Sequence, residues 1–158
     1  MRLFATMTLF LASAVAAASK DQANSTASYC PSRPATPEQQ RAIFEKAVQT
    51  IIVEQRYEEG IMRHYDEGYI QHDPYVIPGR QNALDFLNTL DPDLVNFTIV
   101  NKGIDNQHAW IFQRVDQTGN PNPLGWVDLW RMEGTCMMEH WSIYMPKPAD
   151  ATNPLPLW

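Results

Sequence analysis

The chain has 158 residues, two cysteines and a formal net charge of −6. That acidic balance argues against a nucleic-acid partner, which wants a basic face. The length suits one domain with its own core, and no downstream apolar run approaches the about 20 residues a bilayer span needs.

Residues 1–18 read as a signal peptide. Arg2 gives the positive charge, Leu3 to Ala12 a short apolar stretch, and Ser13 to Ala18 a run of small residues. Cleavage is expected after Ala18, with Ala16 as the alternative site. The mature protein is then secreted, with no membrane association after cleavage. An oxidising compartment lets Cys30 and Cys136 form a disulfide, the other option being two free thiols. Export also gives meaning to two glycosylation sequons, at Asn24 and Asn96.

Residues 19–37 form an extended tail rich in Ser, Ala, Thr and Pro. Thr36-Pro37-Glu38-Gln39 starts a helix, with Thr36 as cap and Gln39 closing a capping box. This opens the main domain, residues 38–146. Ile43, Ala47, Val48, Ile51 and Ile52 follow at helical spacing. A second helical segment covers Tyr57 to Tyr65, and Tyr69 to Tyr75 is extended. A third helix spans Asn82 to Leu90. Strands are predicted at Val95–Lys102, His108–Val115, Gly125–Met132 and Cys136–Tyr144, and residues 147–158 form a C-terminal tail. Helices followed by an antiparallel meander predict an α+β fold.

The chain lacks a glycine-rich phosphate loop, a zinc-spaced cysteine pair and a G-x-S-x-G elbow. No local histidine pair has metal-ligand spacing, so neither a metal nor a cofactor is expected. What remains is polar residues set among aromatic strands. In Tyr69-Ile70-Gln71-His72-Asp73-Pro74, Pro74 holds Asp73 extended and can point His72 or Gln71 at a cavity. The alternative is a loop histidine satisfied by backbone. In Gly125-Trp126-Val127-Asp128-Leu129-Trp130-Arg131, alternation puts Asp128 between Trp126 and Trp130 on one face. Burial there disfavours the charged carboxylate and suits a general base. In Glu139-His140-Trp141, an even hairpin loop puts Glu139 and Trp141 beside Asp128. A one-residue bulge at Gly134 puts His140 there instead.

These motifs, with Gly79-Arg80 ahead of a helix carrying Phe86 and with the closing Asn153-Pro154 and Trp158, resemble the SnoaL-like polyketide cyclase family of the nuclear-transport-factor-2-like superfamily. The resemblance covers roughly residues 38 to 158. It implies a cone-shaped α+β barrel, with N-terminal helices on a curved antiparallel sheet enclosing a pocket. It implies an aldol-type cyclase, lyase or isomerase acting on a small apolar or aromatic carbonyl compound without a cofactor. Asp128 matches the base, and His72 and His140 match residues that orient or polarise the carbonyl. Tyr69, Tyr75, Trp110, Trp126, Trp130 and Trp141 are expected to wall the pocket. The family pattern has an acid where this chain has Ser142. The superfamily often dimerises through the outer sheet face, here assigned to Val127, Leu129 and Ile111. A secreted binding module using the same pocket without chemistry is the alternative. Asp128 within reach of a histidine favours catalysis; Asp128 locked by Arg131 favours the alternative.

Overall fold

The computed structural model describes residues 27–158, so the signal peptide, its cleavage site and Asn24 lie outside the described residues. Helix α1 (Pro37–Val48) starts where the capping box requires. Thr36 Oγ1 accepts from the Gln39 amide, and Gln39 Oε1 accepts from the Thr36 amide at 2.8 Å. Its apolar stripe buries Ile43, Phe44, Ala47 and Val48. The helix then widens into a π-turn, Gln49–Val53, closed by the Glu54 amide on the Gln49 carbonyl. Helix α2 (Tyr57–His64) follows and ends one residue earlier than the spacing predicts, because Tyr65 already begins strand β1 (Tyr65–Gln71). Helix α3 (Arg80–Leu87) packs against α2 and β1.

Strands β2 (Val95–Asp105), β3 (His108–Gln117), β4 (Leu124–Glu133) and β5 (Cys136–Pro146) form the meander. The sheet order is β1-β5-β4-β3-β2. One expectation needs correction: β1 pairs parallel with β5, so the sheet is mixed rather than antiparallel. The single helix α3 separates β1 from the meander and carries the chain from one edge of the sheet to the other, where β2 begins. The sheet is also open between β1 and β2 rather than closed as a barrel. Its concave side, with Ala109, Ile111, Trp130 and Met132, packs against Phe44, Ile51 and Ile61 to make the core.

The β4–β5 hairpin decides which side chains face inward. Glu133 pairs with Cys136 across Gly134 and Thr135, and Met132 pairs with Met137. Arg131 then pairs with Glu139, so Met138 is the extra residue of a bulge. The shift turns His140 inward and Glu139 and Trp141 outward. The bulge lies four residues beyond the glycine where the sequence suggests it. Gly134 has its own task. Its φ is +50°, and a Cβ there would lie 1.9 Å from the Arg33 carbonyl oxygen.

Residues 28–36 run as a strap against this hairpin. The Thr135 amide donates to the Arg33 carbonyl at 2.9 Å, the Thr135 hydroxyl donates to the Tyr29 carbonyl at 2.5 Å, and Gln40 Nε2 donates to the Gly134 carbonyl at 2.9 Å. A Cys30–Cys136 disulfide, with Cα atoms 5.0 Å apart, ties strap to sheet.

Candidate active site

Between the helices and the concave sheet lies a cavity with about 60 Å³ open to the centre of a water molecule. At the about 30 Å³ that a liquid water takes up, that is room for roughly two waters. Ile51, Ile52, Phe86, Leu87 and Leu90 make its apolar part, and Asp128, His140, Gln113, Gln71 and Ser142 line it from the strands.

Asp128 projects inward from β4 and is 6% exposed. Its Oδ1 receives Trp126 Nε1 at 2.9 Å, His140 Nε2 at 2.9 Å and Ser142 Oγ at 3.0 Å. Its Oδ2 receives Gln113 Nε2 at 2.9 Å. The sequence suggests a bare carboxylate between two tryptophans. The fold instead surrounds it with donors, as a buried charge requires.

His140 Nδ1 lies 2.8 Å from Gln71 Oε1, and that same oxygen accepts the Asp73 amide at 3.0 Å. A backbone N–H can only donate, so the atom facing it is the amide oxygen. Nδ1 must therefore carry a proton. The contact between Nε2 and Oδ1 then needs one more proton shared between the two residues. Trp126 and Ser142 already donate to Oδ1, which suits a carboxylate with that proton on Nε2. The imidazole is held between rings, stacked on Trp130 at a centroid distance of 5.0 Å and near Tyr69 at 6.3 Å. Trp130 in turn donates its Nε1 proton to the Tyr65 hydroxyl at 2.9 Å. Burial, reinforced by the Asp128 charge, pushes the Tyr65 and Tyr69 phenols upward, so both stay protonated.

Several expected site residues lie elsewhere. His72 follows Gln71 on β1 and so faces out, where Nε2 meets Glu139 Oε1 at 2.9 Å and the ring stacks on Trp141 at 5.0 Å. Glu139 also takes Arg131 Nε at 2.7 Å, and these two partners hold its carboxyl below the usual range. Arg131 is thus engaged away from Asp128. Trp141 belongs to that outer cluster and not to the pocket wall. Trp110 is outward too, donating to Asn101 Oδ1 at 3.1 Å and lying over Gly103, where any Cβ would strike its ring. Tyr75 is 78% exposed. Ile111, assigned to the outer face, pairs directly with Asp128 and is fully buried within. Tyr69 and Trp126 do line the cavity, while Trp130 backs His140 from the core. Asn96 is exposed on edge strand β2. Among the described residues no group of three or more His, Cys, Asp or Glu is placed to hold a metal ion.

Gln113, Ser142 and Asp73 are site residues that the sequence reading misses. Gln113 lies on the Ile111 face of β3, and Ser142 follows His140 by two on β5. Strand alternation carries both signals once the bulge is known.

Neither a family model nor a curated protein matches the chain. Solved structures do. A Kribbella flavida protein provisionally named a ketosteroid isomerase superposes with a TM-score of 0.59 at 20% identity, over 75% of this chain and 84% of that one. An NTF2-like protein of unknown function from Burkholderia xenovorans gives 0.59 at 14% identity, over 72% and 88%. A Jannaschia protein provisionally named a SnoaL-like polyketide cyclase gives 0.55 at 12% identity, over 71% and 90%. At these identities the likeness establishes shape, and the chain has the α+β cone fold of the SnoaL-like and NTF2-like superfamily.

Proposed function

We propose that the chain is a cofactor-independent acid–base enzyme acting on a small, largely apolar carbonyl compound. The observation that carries this reading is the buried Asp128–His140 pair facing a cavity whose helix side is largely apolar. Oδ1 of Asp128 is occupied by three donors and Oδ2 by one, so Oδ2 keeps a lone pair to take a proton. Removal of the proton beside a carbonyl places it on Asp128 and the electron pair in an enolate. Return of the proton at another carbon completes an isomerisation. Attack of the enolate on a second carbonyl of the same molecule, with that oxygen taking the proton, completes an aldol cyclisation. The apolar walls exclude water and orient the substrate.

The test is deuterium exchange of the α-protons of cyclohexanone in D₂O, followed by NMR. Asp128→Asn should lower the exchange rate by about 10²- to 10⁴-fold while the protein stays folded. Full exchange in that variant would refute Asp128 as base. A non-catalytic binder would give ligand shifts with no exchange above buffer.

The same reading has the protein exported, processed near Ala18 and glycosylated at Asn24 and Asn96. The Cys30–Cys136 bridge suits an oxidising compartment. N-terminal sequencing and glycan mass analysis of protein recovered from culture medium test this. A second copy of the chain is the expected partner on the outer face, at Val127 and Leu129 beside exposed Ile143. Sedimentation tests it.

A further inference from the structure

The apolar stripe that begins on α1 comes in pairs four residues apart: Ile43 and Phe44, Ala47 and Val48, Ile51 and Ile52. In a continuous α-helix of 3.6 residues per turn, each step of four rotates the stripe by about 40°. The π-turn Gln49–Val53, closed by the Glu54 amide on the Gln49 carbonyl, is wider and rotates less per residue, so it takes up that drift. The third pair stays on the side that faces the sheet, and both isoleucines are buried and line the cavity. Single π-turns of this kind are rare and recur at functional sites.

Ile51 has a seat cut for it in the neighbouring helix. Gly60 lies in the interior of α2, where the backbone does not call for glycine and alanine is the better helix former. Space calls for it instead. A Cβ on Gly60 would lie 2.2 Å from Ile51 Cγ1 and 3.2 Å from its Cδ1, so any side chain there collides with Ile51. Ile51 thus rests on α2 on one side and lines the cavity on the other, 4% exposed, across from the strand that carries Asp128. The missing side chain at Gly60 lets Ile51 lie back, and the cavity has the depth that Ile51 leaves it.

We propose that Ile51, seated on Gly60, is the specificity-determining residue for substrate size: it admits a small monocyclic carbonyl compound to Asp128 and leaves no room behind it for a second fused ring. This rests on the acid–base reading of the site and adds the limit on what enters. Asp128 supplies the chemistry for any α-proton it meets, and Ile51 decides which ring can present one. A side chain at Gly60 pushes Ile51 toward the sheet and shortens the cavity. Loss of Ile51 beyond its Cβ lengthens it.

Binding by the mature chain is measured by NMR titration with cyclopentanone, cyclohexanone and 2-decalone. Wild type should bind 2-decalone no more tightly than cyclohexanone, although the larger apolar surface would favour it in an open groove. Ile51→Ala should move the preference toward 2-decalone by about tenfold or more, the effect of a few carbons in a closed pocket. Gly60→Ala should move it the other way, toward cyclopentanone over cyclohexanone, and adding Ile51→Ala should cancel that shift, because the two residues act through one contact. A wild-type preference for 2-decalone of about tenfold or more overturns the proposal, as does a size preference that both variants leave unchanged or a Gly60→Ala shift that Ile51→Ala does not cancel. The wild-type comparison and Gly60→Ala decide the question even if Ile51→Ala fails to fold. Asp128-dependent exchange of cyclohexanone α-protons with a size preference indifferent to Ile51 removes the size limit and leaves the acid–base reading standing. A size preference set by Ile51 without any exchange does the reverse.

Discussion

Gln71 Oε1 accepts the Nδ1 proton of His140 at 2.8 Å, directly across the parallel pairing of β1 with β5. The amide is itself held by the Asp73 N–H. The imidazole that touches Asp128 is thus oriented from the opposite side by a neutral group that cannot exchange protons with it. Gln71 acts through His140 and is a positioning residue.

Gln71→Leu should leave the fold intact and release the ring from its anchor at Nδ1. Carbonyl α-proton exchange should fall by roughly 10- to 100-fold, with a changed pH profile and little change in ligand affinity. An unchanged rate and profile would show that Trp130 and Tyr69 hold the ring unaided.

His72→Ala separates this structure from the family resemblance. His72 is exposed, and its ion pair with Glu139 is of the surface kind, worth about 0–1 kcal/mol. Exchange should stay within about twofold of wild type and stability within about 1 kcal/mol. A tenfold loss of activity would mean that His72 reaches the cavity in the working protein.

His64 predicts an acid sensitivity. It is 1% exposed, neither ring nitrogen has a partner, and burial lowers its pKa from 6.5 to about 3, with Arg63 adding to the effect. Above pH 6.5 the ring is neutral in both folded and unfolded chains, and its burial carries no protonation cost. Below that, the unfolded chain takes up a proton that the folded chain refuses. Stability should fall by about 1.4 kcal/mol per pH unit from this group as pH drops from 6.5 toward about 3. Urea unfolding at several pH values should show the slope. His64→Phe, which keeps a ring against Tyr29, should lose it.

The disulfide spans 106 residues of sequence. Closing a loop of that size removes much unfolded-state entropy, so Cys30→Ser with Cys136→Ser should cost about 4–5 kcal/mol by the chain-entropy model. Denaturant unfolding measures it. The strap should also become protease-sensitive, since its remaining ties are hydrogen bonds to Glu133, Thr135 and the end of α2, with Tyr29 packed on His64.

Much of the architecture is legible in local signals. The Thr36 capping box, the apolar helical spacing of α1 and the alternation about Asp128 each state their element directly. The parallel placement of β1 is not legible, because a strand's partner depends on contacts dozens of residues away. Alternation states the inward face of Asp128, while that of His140 depends on the bulge at Met138, which the sequence leaves open. His72 misleads because motif likeness says nothing about which way a strand residue points, and its neighbour Gln71 takes the inward position. Trp110 and Tyr75 are misplaced for the same reason: bulk and aromaticity mark a pocket wall and an outer face equally well. Gln113 has no motif at all and acquires meaning only when β3 lies beside β4.

Met138 makes the hairpin a parity switch. Six residues lie between Gly134 and Trp141, and the bulge uses one of them to reverse the order of inward and outward positions. Loss of Met138 would put Glu139 and Trp141 inside and send His140 to the surface. The chemistry of the cavity could then change character without a single substitution of a lining residue. Length variation in the β4–β5 turn is therefore the place where relatives of this fold can trade a histidine–aspartate pair for a pair of carboxylates.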